Sequence, residues 1–310
     1  GINDHWHSET KVWTLNKNSQ KAELLPINGM FSRQRRPEER MVAFRSQHSD
    51  IRVTEGHRMH IKYFDPSLKD THGNTGRFSK TWLVKHAREM VGRSDFAMPV
   101  AAKKDSYEGT GLSEDWIELL GWWVSDGSTS LAAFRPQLFI HQKKLRWIPR
   151  IRQMLYRLGV DYKEFKKKSG AITFSISGKQ VWPVIGKYLN KSGTKEWDRM
   201  NRSEFYVFWK ALCRGDGQVN ARRPGNKVTF NNLTCGNKVL ADYLMQLGVL
   251  RGARMSCSER VSSLSGNAYW ALYMKASACF MSSRPNSENS IDIKFEEDWK
   301  PESVWCVNND

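Results

Sequence analysis

The middle of the chain contains one pattern twice, and this repeat limits the folds that the chain can adopt. An apolar run over Ser113–Ser125 has helical spacing and ends at Asp126-Gly127. A second run over Ser203–Gly215 ends in the same way at Asp216-Gly217, with the two aspartates 90 positions apart. Neither copy is large enough to bury its apolar face alone, so the repeat predicts one domain with an internal pseudo-two-fold axis.

A second marker repeats at almost the same offset. Each Asp-Gly is followed by a strand-like run and then by a helix that ends in a matching tag, at Leu155–Val160 and at Leu244–Val249. The glycines of the two tags are 89 positions apart, and further strand-like runs follow each tag. We therefore predict two halves, over residues 111–198 and 199–285. The simpler alternative is two unrelated helices that each end in a turn.

The two flanking segments have strand character instead. Residues 1–110 contain short β-rich runs separated by polar turns and show little helical period. Residues 286–310 contain two more such runs, Ile291–Phe295 and Val304–Val307. We therefore predict an α+β chain in which residues 286–310 return to an all-β module formed by residues 1–110.

Charge and composition restrict the partners. Lys and Arg number 49 against 32 Asp and Glu, a formal net charge of +17 that favours a polyanion such as nucleic acid. No apolar run approaches the ~18 residues of a membrane span. Residues 1–20 do not look like a signal peptide, and the five cysteines form no CxxC pair. We expect a cytoplasmic protein of bacterial, phage or archaeal type, without a disulfide framework.

The aspartates that end the two apolar helices are unusual residues for their positions. A carboxylate at a helix C-terminus faces the negative end of the helix dipole, which costs roughly 0.3–1 kcal/mol when exposed. If the two helices pack side by side, repulsion between Asp126 and Asp216 raises at least one pKa. A bound Mg²⁺ or Mn²⁺ would remove both penalties, because these ions prefer oxygen ligands. Taken singly, each Asp-Gly is an ordinary turn.

Small residues on the two helices support side-by-side packing. Gly121 and Ala211 lie on the face that precedes each aspartate by about one and a half turns, where a missing side chain lets two backbones approach closely. The large aromatic residues beside them are then expected to fill the core of each half. They are Trp122, Trp123, Phe208 and Trp209.

Both helix ends resemble the nine-residue motif of the LAGLIDADG homing endonucleases. The copies read LLGWWVSDG at Leu119–Gly127 and WKALCRGDG at Trp209–Gly217, with Val124 and Arg214 at a position that is often acidic in the family. The resemblance implies two αββαββα halves whose antiparallel sheets form a saddle on double-stranded DNA. It also implies a monomer with catalytic Asp126 and Asp216, and a metal site at these two residues with Ser125 and Gly215.

Further site residues follow from the same resemblance. A lysine near the last strand of each half is implied to assist catalysis, and Lys179 and Lys275 stand at about those places, although both could be plain surface charges. Alternate side chains of a strand share one face and can read base edges, and basic runs contact phosphates. The expected DNA contacts are Arg135, Gln137, His141, Gln142, Lys143, Lys144, Lys166, Lys167, Lys168, Asn220, Arg222, Arg223, Lys227 and Asn231.

The flanking β segments resemble the Hint fold of inteins. Thr54 and His57 match its TxxH block, and Ser303–Val307, with Cys306, resembles a closing strand. The chain begins with Gly1 and ends at Asn309-Asp310, so the nucleophile and terminal residues of splicing are not in place. We expect a splicing-incompetent chain, whether degenerate, split or deliberately altered. A structural role for His57 is the alternative.

These observations lead to three functional hypotheses. The first is a site-specific endonuclease that hydrolyses both strands of duplex DNA with Mg²⁺ or Mn²⁺, as a mobile, intein-associated element. The second is a nucleic-acid-binding protein of maturase or regulator type that keeps the scaffold without cleavage. The third is a protein-splicing element. Retention of Asp126 and Asp216 favours the first, because a binding protein would be free to lose them.

Overall fold

The computed structural model describes residues 11–16, 19, 21–26, 29–46, 49–69, 75–79, 81–99, 101, 103–104, 107–130, 136–220, 229–263, 266–275, 280–282, 292–296 and 303–308. The chain divides into two compact units. Unit 1 contains residues 1–105 and 276–310 together with Gly252–Arg254, and unit 2 contains residues 106–251 and 255–275. The finer boundaries inferred from the sequence stay predictions.

The N-terminal part of unit 1 consists of short strands, as the alternating runs predict. A 3₁₀ turn at Ala87–Met90 follows the eighth strand, and a small core contains Phe44, Ile61 and Phe96. The strands are β1 (Lys11–Leu15), β2 (Lys21–Pro26), β3 (Gly29–Gln34), β4 (Met41–Ser46), β5 (Ser49–Thr54), β6 (Arg58–Lys69), β7 (Thr75–Phe78), β8 (Leu83–His86), β9 (Phe96–Pro99) and β10 (Lys103–Lys104).

Unit 2 contains five α-helices among the described residues, and the order α-β-β-α-β-β occurs twice. The third helix expected in each half is present as α3 in the first half and has no counterpart among the described residues of the second. The first half contains α1 (Glu114–Asp126), β11 (Gly127–Ser130), β12 (Gln137–Gln142), α2 (Ile148–Leu158), β13 (Tyr162–Lys166), β14 (Ile172–Ser177) and α3 (Gly178–Ile185). The second half contains α4 (Arg202–Asp216), β15 (Gly217–Asn220), β16 (Thr229–Cys235), α5 (Lys238–Leu250), β17 (Arg254–Val261) and β18 (Ala268–Lys275).

The two sheets of unit 2 have the same strand order. One reads β11-β12-β14-β13 and the other β15-β16-β18-β17, and the recorded strand pairs are antiparallel. Each sheet packs on the apolar helix that precedes it, and α1 packs on α4. The mixed α+β class expected from the sequence is therefore correct.

Three strands near the C-terminus belong to unit 1. They are β19 (Phe280–Ser282), β20 (Asp292–Glu296) and β21 (Ser303–Asn308), and they pair with β9, β4 and β3, respectively. Unit 2 is thus inserted into a β module whose strands come from both sides of it. Within the described residues, no helix combines the length and the apolar character needed to cross a bilayer.

The starts of α1 and α4 depend on polar caps. Ser113 accepts a hydrogen bond from the Trp116 amide, as its position before the apolar run predicts. The start of α4 was expected at Ser203, but Asn201 caps it, and Glu204 completes a reciprocal capping box. Asn201 stands three positions before Glu204, which is the spacing that the capping box requires, whereas Ser203 stands only one position before it.

The two repeated tags have different local structures. Gly159 ends α2 in the left-handed conformation, with φ 63°. Gly248 instead lies inside α5, which continues to Leu250. A Cβ on Gly248 would stand 2.5 Å from the Met255 sulfur, so a larger residue there would have to displace the Met255 side chain. The tags mark equivalent helices, but only the first marks a helix end.

Candidate functional site

The ends of α1 and α4 lie together because small residues face one another along both helices. A Cβ on Gly121 would stand 2.5 Å from the Cβ of Ala211 and 2.8 Å from the Phe208 carbonyl oxygen. One turn further, a Cβ on Gly215 would stand 2.6 Å from the Cβ of Ser125. The predicted close approach of these helices is confirmed, and the side chains that follow, Asp126 and Asp216, enter one site.

Both carboxylates of this site have raised pKa values. Burial, followed by the negative charge of Asp216, raises the pKa of Asp126 to about 6. Burial also raises the pKa of Asp216. The positive charges of Lys144 and Lys191 lower both pKa values and so oppose the effect of burial. The site therefore has a deficit of positive charge that a cation would relieve.

Gln142 fixes the orientation of Asp126. Its Nε2 donates to Asp126 Oδ2 at 3.0 Å, and its Oε1 accepts from the Lys144 amide at 2.6 Å. The side chain is 1% exposed and shares the helix-facing side of β12 with Leu138 and Ile140. The prediction that Gln142 contacts DNA is therefore wrong, because alternation along the strand turns it away from the open face.

Lys144 crosses from the first half to the helix end of the second. Its ammonium donates to the carbonyl oxygen of Gly215, to that of Gly217 at 3.1 Å and to that of Arg214 at 3.2 Å. A cation at the C-terminus of α4 matches the negative end of the helix dipole. The Lys144 ammonium therefore lies beside the acidic helix ends, and its expected contact with a DNA phosphate stays a prediction.

Lys191 places a second ammonium at the same site. It lies in the connection between the two halves and donates to the Gly127 carbonyl oxygen at 2.5 Å, directly after Asp126. Burial lowers the pKa of Lys191, and the charges of Asp216 and Asp126 oppose this effect. No sequence signal pointed to Lys191, since it is a single lysine in a polar turn.

Lys179 is the second residue of α3, directly after β14, and Lys275 ends β18. Ser177, two residues before Lys179, pairs with Gln137, whereas Gly127 beside Asp126 pairs with Ile140. Three residues of strand separate these points, about 10 Å. In the second half, Gly217 beside Asp216 pairs with Leu233, and Leu233 pairs with Leu272. Lys275 lies three residues beyond Leu272 on the same strand. The lysines whose charges lower the pKa values of the carboxylates are Lys144 and Lys191. A catalytic role for Lys179 and Lys275 stays a prediction.

The donor set of the site suits a hard divalent cation. Two carboxylates belong to the site, and the main-chain oxygens of Gly215 and Gly127 beside them already accept from Lys144 and Lys191. No third His, Cys, Asp or Glu joins the carboxylates within the part of the chain that the structure describes. Mg²⁺ commonly keeps several waters and takes one or two carboxylates. The Ser125 hydroxyl shares its one proton between the Gly121 and Trp122 carbonyls of α1, and the lone pairs of its oxygen are not used by these bonds.

The side of the first sheet opposite α1 is open and carries several predicted DNA contacts. Gln137 and Phe139 line a groove of about 520 Å³ with Lys163 and Lys179. His141 continues the row, stacked on Phe139 at 6.1 Å. The His141 ring bonds Ser128 at 3.0 Å and Thr173 at 3.1 Å, so its orientation is fixed.

The remaining predicted contacts divide into three groups. Lys143, Lys166, Lys167 and Lys168 are exposed, and Lys167 approaches His141 Nδ1 at 3.5 Å. Asn231 is partly buried in β16, close to a register shift, and Asn220 ends β15 opposite Thr229. Arg135, Arg222, Arg223 and Lys227 lie outside the described residues.

A buried ion pair joins the two halves behind the site. Glu118 of α1 is 1% exposed and accepts from Arg214 of α4 at 2.9 Å and from Arg150 of α2 at 3.0 Å. The Arg214 guanidinium also lies over the Phe230 ring at 5.0 Å. The ion pair with Glu118 balances the charge of Arg214 at the end of α4.

The expected splicing residues all belong to unit 1. Thr54 ends β5 and its carbonyl accepts from the His57 amide at 2.9 Å, which closes a tight turn. Burial, followed by the charge of Arg58, lowers the pKa of His57. Cys306 stands opposite Phe31 where β21 pairs with β3. The hydrogen bond of this turn joins main-chain atoms only, so the splicing role and the structural role of Thr54 and His57 both stay predictions.

Comparisons with known proteins give partial structural likeness. No protein-family model matches the chain, and no curated protein sequence matches it. Solved structures of the homing endonuclease I-DmoI, among them complexes with DNA and Mn and with target DNA and Mg, are 15–16% identical, with TM-score 0.38; they cover 52% of this chain and 89% of that chain.

A second group of solved structures belongs to DUF199/WhiA. The full-length protein from Thermotoga maritima is 11% identical over 53% of each chain, with TM-score 0.35. Its N-terminal LAGLIDADG domain is 12% identical, with TM-score 0.33, and covers 53% of this chain and 80% of that one. The comparisons thus include both a DNA endonuclease and a LAGLIDADG domain of another kind of protein.

Proposed function

We propose that unit 2 is a site-specific endonuclease that hydrolyses phosphodiester bonds in both strands of duplex DNA. The observation that carries this proposal is the meeting of Asp126 and Asp216 at one site on two symmetry-related helix ends. Two equivalent carboxylates on a pseudo-two-fold axis match a substrate whose two strands are themselves related by two-fold symmetry.

The residues of the site have separate roles in this proposal. Asp126 and Asp216 would hold Mg²⁺ or Mn²⁺, which supplies Lewis acidity at a phosphoryl oxygen and lowers the pKa of a bound water. Gln142 keeps one Asp126 oxygen oriented. Lys144 and Lys191 supply fixed positive charge beside the carboxylates, where negative charge develops on a phosphate.

The open face of the first sheet is proposed to contact the DNA. Gln137 has an amide that can both donate to and accept from a base edge. Both ring nitrogens of His141 already bond Ser128 and Thr173, so His141 supports this face and does not read a base. Lys163 and Lys179 at the groove are placed for phosphate contacts, which position a protein without specifying sequence. The formal net charge of +17 supports such an interaction.

A duplex library tests this proposal. The purified protein is incubated with random duplex DNA and Mg²⁺, and cut ends are sequenced. We expect recurrent cut sites that disappear in Asp126→Asn and Asp216→Asn while DNA binding persists. Persistent cleavage in the double variant would refute the assignment of these carboxylates.

A second candidate function rests on a different observation. The two ammonium groups already contact the Gly127, Gly215 and Gly217 carbonyl oxygens and compensate part of the acidic charge. Because the ammonium groups offset the negative charge of the carboxylates, α1 and α4 can stay packed together without a metal ion. A nucleic-acid-binding protein that does not cleave would need this. The library experiment separates the two, because this candidate predicts enriched bound sequences and no cut ends.

The origin of unit 1 stays a prediction. An intein-derived module, split by unit 2, accounts for the pairing of β19, β20 and β21 with strands from the other end of the chain. The same pairing is compatible with any β module that received an insertion. Cleavage by unit 2 does not depend on this origin.

A further inference from the structure

The strand register gives the residue-by-residue correspondence between the two halves. Gly127 pairs with Ile140 in the first half, and Gly217 pairs with Leu233 in the second. Ile140 and Leu233 are therefore equivalent. Counting along the strands from these residues, Gln142 corresponds to Cys235 and Lys144 corresponds to Asn237.

The second half thus lacks a lysine at the place from which Lys144 acts. Asn237 cannot supply a cation, and its Oδ1 caps α5 by accepting from the Val239 and Leu240 amides. Its Nδ2 donates to the Ser192 hydroxyl at 3.2 Å. Asn237 therefore holds the connection between the halves at the residue next to Lys191.

The connection is fixed at several points around Lys191. The Ser192 amide donates to Asn190 Oδ1 at 2.9 Å, which closes a turn. Gly193 follows with φ +98°, and a Cβ there would stand 2.6 Å from the Tyr243 ring. The Tyr243 hydroxyl donates to the Thr194 carbonyl at 2.8 Å. Asn237 caps α5 and Tyr243 belongs to it, so contacts from the second half hold this turn in place.

The two lysines also bond equivalent acceptors. Lys144, from the first half, bonds the carbonyl oxygen of Gly217 after Asp216, and Lys191, carried by the second half, bonds the carbonyl oxygen of Gly127 after Asp126. One ammonium held by the first half therefore lies at the end of α4, and one held by the second half lies at the end of α1. The contacts are symmetric although the sequence positions are not.

We propose that Lys191 is the symmetry counterpart of Lys144, supplied by the connection between the halves and positioned by Ser192 and Asn237. Both lysines act as built-in cations next to the acidic helix ends and counteract binding of a free divalent ion. On the function proposed above, each lysine serves the cleavage of one DNA strand, and Lys144 and Lys191 serve opposite strands.

Thermal unfolding of the full chain with and without Mg²⁺ tests the proposal independently of cleavage. Removal of an ammonium leaves the carboxylates in need of a cation, so Mg²⁺ should raise the unfolding midpoint more in Lys144→Met and Lys191→Met than in the unchanged protein. Ser192→Ala should shift the midpoint in the same direction by a smaller amount. Lys187→Met is the control, because Lys187 lies in the same connection but pairs with Glu196.

Strand-resolved nicking on a cleaved duplex provides the second measurement. Lys144→Met and Lys191→Met should each slow one strand, by about 100-fold as for loss of one fixed charge-stabilising donor, and the affected strands should differ. Absence of any cleavage by the unchanged protein refutes the proposed function and leaves the Mg²⁺ measurement to decide this inference. A Lys191→Met protein that responds to Mg²⁺ as Lys187→Met does, while Lys144→Met alone differs, overturns it.

Discussion

Ser125 lies directly against Gly215 across the pseudo-two-fold axis, at equivalent positions of the two motif helices. The Ser125 Cβ would be 2.6 Å from any Cβ on Gly215, and Asp126 Oδ2 would be 2.9 Å from it. One partner of this pair must lack a side chain for α1 and α4 to approach as they do. Their separation in turn sets the distance between Asp126 and Asp216.

The first prediction concerns this contact. Gly215→Ala should destabilise the protein by about 1–3 kcal/mol, because the added methyl group must push the two helices apart. Denaturant unfolding measures the loss. Gly236→Ala is the matched control, since nothing lies within 4 Å of a Cβ there; it should change the free energy of unfolding by less than about 0.5 kcal/mol. Equal effects of the two variants would show that the helices are not in this contact.

The second prediction concerns the buried ion pair behind the site. Glu118→Gln leaves Arg214 half-buried without its carboxylate and should cost about 3 kcal/mol of unfolding free energy. Glu164→Gln removes the exposed pair with Arg152 and should cost less than about 1 kcal/mol. Denaturant unfolding at neutral pH compares them. A loss in Glu118→Gln no larger than that in Glu164→Gln contradicts the role of Glu118 in joining the halves.

The third prediction concerns pH in the absence of metal. The pKa of Asp126 is raised from 3.8 to about 6 in the folded protein, so between these values the folded state binds more protons than the unfolded state. The free energy of unfolding should therefore fall as pH rises from about 4 to about 6, by about 2 kcal/mol after allowance for solvent screening. Unfolding in EDTA at several pH values measures this.

Asp126→Asn is the control for the pH measurement. Asparagine does not titrate, so the decline between pH 4 and 6 should be much smaller in this variant. A decline of the same size in Asp126→Asn would assign the effect to other groups.

Parts of this site follow from the sequence, and one part was missed although its signal was there. Local sequence spacing predicted the capped apolar helices, the two Asp-Gly ends and the Gly121–Ala211 contact. These features depend on positions within one helix, and the helix keeps that spacing in the folded protein. Gln142 has the same parity as the apolar Leu138 and Ile140 of β12, which indicated a buried side chain. Its amide character suggested DNA contact and led to the wrong prediction.

Other parts had no local signal. Lys144 and Lys191 act on helix ends that are more than 60 residues away along the chain. Lys144 lies in the turn after β12, and Lys191 lies in the connection between the halves. The placement of these two turns against the motif helices is set by the tertiary structure, and no sequence period or motif predicts it. In a chain with 49 Lys and Arg, composition cannot single out two of them.

The fourth prediction concerns the groove of the first sheet. Replacement of both Lys163 and Lys179 by alanine should weaken duplex DNA binding and lower the slope of log K against log salt by about 2, because two phosphate contacts are lost. Lys238→Ala is the control, since Lys238 pairs with Asp242 on α5. Fluorescence anisotropy over a series of salt concentrations measures the slope. A slope that both sets of variants leave unchanged places the DNA elsewhere.

The most direct test of the shared metal site is affinity cleavage of the protein by bound iron. Fe²⁺ that replaces Mg²⁺ produces radicals with ascorbate and peroxide, and these cut the polypeptide close to the ion. We predict cuts at both helix ends, near Asp126 and near Asp216, that Mg²⁺ suppresses and that Asp126→Asn and Asp216→Asn remove. Cuts at only one of the two ends, or cuts that persist in both variants, would contradict a cation held between them.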